Sequence, residues 1–413
     1  MNAPLIGKYA VRTLGRNVRR TFLSVVGIGI GVAIAIFMTA FMKGSTQMRV
    51  RAIAESGFGH VMVAHSDWNV SRDNDLRLTG WEDELEAVRA MPGVKVAAPH
   101  ARTTALLAFG TRVSGVQMLG VDPEAEAASS RLVLAVSEGR YLQDGDSDVA
   151  VVGSTIADRL DVELEDDLLV TVVDAAGEME YAMLRIVGIV DTGSRDMDAS
   201  ICHVTLADVE RLTKLPGAGE ISVTLDEPLK MDSMVPRLKE VVSPSDDVLT
   251  WMQVVPAQGG DYQSDKGFMN MLSGTVIVVV MLGIAGAQLT AILERRREFA
   301  VLIALGMKSS QVVRLILFEA VVLAVMGAAI GLLLAWWPVH YTATVGFDFS
   351  TILGEELSMS GVLLEPIIYS IPGAWIFTHA LAIALVSTLI AAIYPAVYAL
   401  RTDPTSALSL REA

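Results

Sequence analysis

The chain has 413 residues, 52% of them hydrophobic, and carries 47 acidic against 32 basic side chains for a net charge of −15. That balance excludes binding to nucleic acid through phosphates, which needs clustered Lys and Arg. A single cysteine, Cys202, excludes an internal disulfide.

Residues 1–20 hold Lys8, Arg12, Arg16, Arg19 and Arg20 and no acid. Four of these recur every fourth residue, which predicts an amphipathic helix along an inner membrane surface. Thr21–Met42 then carries no charge, as does Gly267–Leu293; Leu315–Val339 carries only Glu319, and Ile371–Leu400 only His379. About 20 apolar residues cover a hydrocarbon core of roughly 30 Å, so four spans are expected at 21–42, 267–293, 315–339 and 371–400. The first is too long for a signal-peptide core.

Basic residues mark the cytoplasmic loops. The loop 294–314 holds Arg295, Arg296, Arg297, Lys308 and Arg314 against Glu294 and Glu298, whereas 340–370 holds Asp348, Glu355, Glu356 and Glu365 and no base. Both termini and 294–314 are therefore expected in the cytoplasm, with the 340–370 loop and the large segment 43–266 outside. That outer segment has 38 acids and 20 bases. Its acidity serves solubility and repels anionic headgroups.

The outer domain reads as α+β. Gly59–His65 alternates as a strand; Thr79 and Glu82 suggest a capping box for a helix over Glu82–Met91; Pro92-Gly93 turns into a strand at Val94–Pro99. A second β-α-β follows at Glu220–Leu225, Ser233–Val242 and Asp247–Met252, so a split ferredoxin-like module is expected over 57–109 and 216–255. Between them, 110–215 is strand-rich, clearest at Val149–Val152, Leu168–Val173 and Met183–Val190, and reads as an inserted lobe. Cys202 sits in the strand-like run Ser200–Thr205, where a small buried thiol is expected.

Within the spans, Gly27 and Gly31 form G-x-x-x-G, and Gly327 and Gly331 repeat it. Small residues at this spacing let helices approach closely in lipid. Catalytic signatures are missing: no G-x-x-x-x-G-K-[ST], no H-E-x-x-H and no G-x-S-x-G occurs. The turn Asp144–Asp148 lacks the glycine and glutamate of a calcium loop, as Val149 and Thr155 stand there. Neither metal nor cofactor is expected. His340 and His379 have no obvious acidic partner in their own spans, which argues against a proton relay, and Glu319, about one turn inside the third span, can reach the interface or the positive helix start.

The cytoplasmic ends are specific. Residues 294–320 read ERRREFAVLIALGMKSSQVVRLILFEA, 391–412 read AAIYPAVYALRTDPTSALSLRE and 8–32 read KYAVRTLGRNVRRTFLSVVGIGIGV. With four spans and a large domain after the first, the whole chain resembles permease subunits of the MacB–FtsX group of ABC transporters. Gly59-His-Val-Met-Val63 and Gly120-Val-Asp-Pro-Glu124 look closer to the LolC/LolE-like branch, which extracts lipoproteins from a bacterial inner membrane.

The resemblance implies a coupling helix in 294–314 that docks on a separate ATPase, two copies per complex, through Arg295, Arg296, Arg297, Glu298, Phe299, Leu302, Leu305 and Gly306. Ile303 stands where relatives often have a basic residue. It implies a porter lobe with a Sabre-like insert and a second permease copy or paralogue; the small-residue spacing makes Gly27, Gly31, Gly327 and Gly331 the expected close helix contacts, with the Gly27–Gly31 face either at that interface or packed within the subunit. The expected function is mechanotransmission, moving a lipoprotein or other envelope substrate with a periplasmic carrier or adaptor. Macrolide or peptide efflux and activation of a cell-wall hydrolase are the alternatives. Pro395 is expected to kink or end the fourth span, and Pro404–Leu410 of the tail 401–413 to form a short helix.

Overall fold

In the computed structural model the described residues are 18–294, 298, 301, 306–348, 358–359, 362–363 and 367–401. The chain divides into two units: a helical one, Met1–Ser45 with Asp265–Phe347 and Ile368–Ala413, and a sheet-based one, Thr46–Ser264 with Asp348–Ile367.

The helical unit draws on α1 (Val18–Ile53), α7 (Pro256–Glu294), α8 (Ser309–Thr344) and α9 (Trp375–Arg401). Among the described residues three helices are long and apolar enough to cross a membrane: Thr21–Phe58, Ser310–Thr344 and Trp375–Ile393. The stretch 267–293 lies within α7. Val25, Ile28, Val32, Ile36 and Ala40 recur at three or four residues and are buried together with Leu323, Ala324, Ala328, Ala335 and Val339. Ala380, Ala384 and Ala391 of α9 join this core. Alanine at these positions permits the close backbone approach that replaces hydrophobic drive in lipid.

The first helix runs beyond the span 21–42 to Ile53, closed by a π turn over Ala54–Phe58. One expectation changes: α9 does not end at Pro395 but runs on to Arg401. A proline removes one backbone donor, and the hydrogen bonds on either side carry the helix past it. The basic segment 1–17 and the expected helix Pro404–Leu410 lie outside the described residues.

The sheet-based unit contains β1 (Val61–His65), α2 (Trp81–Arg89), β2 (Val94–Phe109), β3 (Arg112–Val121), α3 (Pro123–Ser129), β4 (Val136–Gly139), β5 (Val149–Gly153) and α4 (Ser154–Leu160). Then follow β6 (Asp167–Val173), β7 (Met179–Val190), β8 (Cys202–Thr205), α5 (Leu206–Thr213), β9 (Glu220–Leu225), α6 (Met231–Lys239) and β10 (Asp246–Thr250). The strands run β10-β1-β9-β2-β3-β8-β5-β7-β4, and β6 pairs with both β2 and β7.

Each neighbouring pair in β10-β1-β9-β2 is antiparallel, with α2 and α6 in the connections β1→β2 and β9→β10. Their core includes Val61, Val63, Leu85, Val88, Ile221, Val223, Leu238 and Trp251. A second group closes on itself: β2 pairs β3, β3 pairs β8, β8 pairs β5, β5 pairs β7, β7 pairs β6, and β6 returns to β2. Closure leaves no bare edge among the strands of the ring. Leu107, Met118, Leu168, Val170, Leu184, Ile186 and Cys202 fill the core of this group.

One strand serves both groups. Val94–His100 of β2 pairs with β9, and Ala105–Ala108 pairs with β6. The expected strand at Val94–Pro99 thus runs ten residues further, to Phe109, because a partner is available on both sides. The expected capping box at Thr79 is also corrected: Gly80, at φ 71°, occupies the cap and no side chain bonds there. Acids Glu82, Asp83 and Glu84 fill the first turn instead and favour the helix dipole.

Candidate functional site: a glycine seam and a buried charge cluster

The expected coupling residues Arg295, Arg296, Arg297, Phe299, Leu302 and Leu305 lie outside the described residues. Glu298 is helical, and Gly306 takes a left-handed φ of 94°, a conformation suited to glycine just before α8 begins.

The glycine seam is resolved atom by atom. A Cβ built on Gly331 would stand 2.7 Å from Val32 Cβ and 3.0 Å from the Gly29 carbonyl oxygen, and one on Gly29 would stand 2.7 Å from Ile330 Cγ2. One on Gly327 would meet the side chain of Ile28. Gly29, Gly327 and Gly331 therefore set the contact between α1 and α8. Gly31 is buried, whereas Gly27 is exposed with open space around it. The sequence pattern flagged Gly27 and missed Gly29, although Gly29 shares the period of Val25, Val32 and Ile36.

At the far end of the seam the backbone N–H of Ile371 donates to Ala40 O at 3.1 Å, and that of Ser370 to Thr342 O at 3.1 Å. The Lys43 ammonium lies 3.9 Å over the Trp375 ring, a cation–π contact. His379 Nδ1 stands 3.0 Å from Trp375 O, and His340 stacks on Trp336. A cavity of about 300 Å³ opens here, lined by Ile36, Ala335, Trp336, His340, Pro372 and Phe377 among others. Glu319 is buried in α8.

The sheet-based unit holds a cluster that the sequence did not announce. β2 carries His100 and Arg102, β9 carries Glu220, and α3 carries Glu126. His100 Nε2 lies 2.8 Å from Glu126 Oε2, and His100 Nδ1 lies 3.7 Å from Glu220 Oε1. Arg102 donates to Glu220 Oε1 at 2.9 Å and places its guanidinium 5.3 Å from the Phe58 ring centroid. α3 is placed by its own sequence: Asp122 accepts from the backbone N–H groups of Glu124 and Ala125, and Pro123 takes the first helical position.

Burial opposes the charge on His100, yet the hydrogen bond with Glu126 and the nearby Glu220 carboxylate hold its pKa up, at about 9. Burial likewise opposes ionisation of Glu220, but Arg102 and His100 overcome it and bring the carboxyl down to about 2. Glu126 is also depressed, burial being outweighed by His100. At neutral pH two cations thus face two anions inside the protein. Nearby His203, whose Nδ1 lies 2.6 Å from the Tyr141 hydroxyl, is lowered to about 4 by burial. His60 is also lowered to about 4, by burial and Lys95, and its Nδ1 accepts from Leu225 N–H.

The π turn after α1 meets this cluster. Glu55 pairs with Arg51 at 2.6 Å and Arg131 at 3.7 Å, its carbonyl accepts from Ser130 Oγ, and Gly57 O accepts from Ser222 Oγ. The arrangement joins β2, β9, α3 and the end of α1. It offers a charge-locked joint rather than a nucleophile with a base. No sequence period links positions 26 and 120 residues apart, so no local signal marked it. Among the described residues no group of His, Cys, Asp or Glu is placed to hold a metal. The acidic turn is a structural one: Arg140 pairs with Asp146, and Arg211 with Asp148.

Residues 21–241 match the MacB-like periplasmic core domain, and residues 270–404 match the FtsX-like permease C-terminal region. The lipoprotein-releasing system transmembrane protein LolC of Neisseria meningitidis is 24% identical over 403 residues, covering 94% of this chain and 93% of that protein. The macrolide export ATP-binding/permease protein MacB of Shewanella sp. is 22% identical, covering 97% of this chain and 60% of that longer protein. Among solved structures, the extracellular domain of the transporter YknZ from Gram-positive bacteria is 14% identical with a TM-score of 0.34, covering 46% of this chain and 99% of that domain.

Proposed function

Taking as premise that this chain belongs to the MacB-like periplasmic core domain family, joined to an FtsX-like permease region, we propose that it is the membrane-spanning subunit of an ABC transporter working by mechanotransmission. The observation that carries this reading is α1. It is unbroken from Val18 to Ile53, through its apolar stretch into residues of the sheet-based unit. A helix of that length extends about 1.5 Å per residue and behaves as a rod. In this reading ATP-driven motion of a partner subunit enters at 294–314 and leaves through α1 and α7.

The topology that fits has both termini in the cytoplasm and four spans, the second being 267–293 within α7. The antiparallel β10-β1-β9-β2 group with its two helices supports a ferredoxin-like porter lobe, and the closed strand ring supports a Sabre-like insert. The cargo is a lipoprotein or other lipid-anchored envelope substrate, in keeping with what the LolC relative's name says that protein releases. Efflux of the macrolide type is the rival. Two ATPase copies serve two permeases, the second being another copy or a paralogue.

Replacing Phe299 and Leu302 with Asp tests the coupling. The ATPase should no longer co-purify while the chain still reaches the membrane and melts as before. Undiminished ATPase recovery would sink the reading. A lipoprotein retained on the purified complex would favour release over efflux.

A further inference from the structure

Two acids of the sheet-based unit face each other away from the quartet around His100. Glu84 lies in the first turn of α2 and is 7% exposed; Asp246 opens β10 and is 8% exposed. Ser243 joins them. Its N–H donates to Glu84 Oε1 at 2.6 Å, and its carbonyl accepts from the Asp246 N–H at 3.0 Å. Glu84 Oε2 and both carboxyl oxygens of Asp246 are buried with no donor group bonded to them. The two carboxyls lie within hydrogen-bond reach of each other. An ionised carboxyl only accepts, so a bond between the two needs a proton on one of them. Two unpaired anions in contact and out of water would be strongly unfavourable.

The neighbouring groups do not supply a countercharge. From β1, His65 stands opposite Asp246 in the register. Its Nδ1 accepts from the Asp67 N–H at 3.2 Å, so that nitrogen carries no proton and the ring is not a cation there. Lys239 at the end of α6 is committed to Asp247 at 2.7 Å. The loop before β10 offers hydroxyls, and Ser245 Oγ donates to Ser243 Oγ at 3.1 Å. Burial accordingly holds the pair above the ordinary carboxylate range, against the Ser243 N–H at Glu84 and against Ser245 and His65 at Asp246. A metal ion fits less well. Calcium takes about six to eight oxygens, and among the described residues no third His, Cys, Asp or Glu joins these two.

We propose that Glu84 and Asp246 share a single proton and form a pH-sensitive latch that holds β10 to α2. β10 stands at the end of the strand order and pairs with β1 on one side, so the latch adds a second attachment to an edge strand. Five residues beyond β10 the chain enters α7 at Pro256. As pH rises the shared proton leaves to solvent, two anions remain, and their repulsion frees the start of the strand. The sign follows from the raised carboxyls. The latch is complete below the ordinary carboxyl range near pH 4 and is lost as pH rises through the pair's own higher value.

Hydrogen–deuterium exchange of residues 240–250 in the full chain in detergent tests this, followed from about pH 5 to about pH 8 and corrected for the exchange rate of an unfolded peptide at each pH. In the native chain the corrected protection should fall by up to about tenfold per pH unit over part of that range, the effect of one proton. Glu84→Gln keeps an oxygen for the Ser243 N–H and gives Asp246 a permanent donor; Asp246→Asn gives Glu84 one from the other side. Either variant should hold its protection level across the range and exceed the native chain at the alkaline end. A protonated-carboxyl infrared band should titrate away over the same range in the native chain and be lost in Asp246→Asn. Each variant suffices alone, so one that melts early is replaced by the other. The same pH profile in all three chains overturns the proposal. So does lower protection in both variants at every pH, which would mark an ordinary packing role. A native profile that responds to added calcium or magnesium, or to a chelator, would assign the pair to a cation instead and overturn it as well.

Discussion

His100 and Glu126 sit 2.8 Å apart with side chains 1% and 0% exposed, a hydrogen-bonded ion pair shut inside the protein. Arg102 and Glu220 complete a neutral quartet around it. Removing charges from water is costly, so such a quartet stands only when each charge has a partner close by.

Stability should therefore depend on pH with a defined sign. His100 is raised from 6.5 to about 9, so its contribution is complete below pH 6.5 and is lost as pH rises through about 9. His60 and His203 are lowered from 6.5 to about 4, so the folded state resists their protonation and stability falls as pH drops from 6.5 toward 4. Melting temperature of the full chain in detergent should peak near pH 6.5. His100→Gln should flatten the alkaline limb and spare the acid limb; a limb unchanged in that variant would contradict the assignment.

Glu126→Gln keeps the shape of the side chain and strands the His100 charge. Breaking one partner of a buried pair costs roughly 3–5 kcal/mol. The double variant with His100→Gln should cost less than the sum of the two single changes, since both remove the same interaction. Additive losses in a thermal double-mutant cycle would show that the pair is not coupled.

The glycine seam predicts a sharp contrast. Gly331→Ala puts a methyl group 2.7 Å from Val32 and should cost about 1–3 kcal/mol, the usual range for overpacking. Gly27→Ala meets open space and should leave melting unchanged. Gly27→Leu then asks whether that exposed face meets a second permease. Reduced crosslinking between copies in membranes would assign it to the interface, and full crosslinking would remove it.

Cys202 is buried, and burial pushes its thiol up to about 12. Maleimide labelling should be negligible in the folded chain and complete after denaturation, because the thiolate is the reactive form. Rapid labelling of native protein would mean that the strand ring opens.

The sequence by itself determined the parts that local patterning encodes. Apolar runs of spanning length at Thr21–Met42 and Leu315–Val339 lie within helices, because in lipid a helix is the way for one segment to bond all its own backbone groups. Glu220–Leu225 was legible as a strand, and the structure forms it with the same bounds. The cytoplasmic-end motifs were enough to place the chain in its permease group. Tertiary structure decided the rest. β2 runs to Phe109 because β3, β6 and β9 supply partners along its length, which no window of sequence shows. Gly29 rather than Gly27 touches α8 because the helix's rotation about its axis is set by its neighbour. His100, Arg102, Glu126 and Glu220 come from three elements spread over 120 residues, and only the pairing of β2 with β9 and the packing of α3 bring their charges within hydrogen-bond distance, where burial makes each dependent on the others.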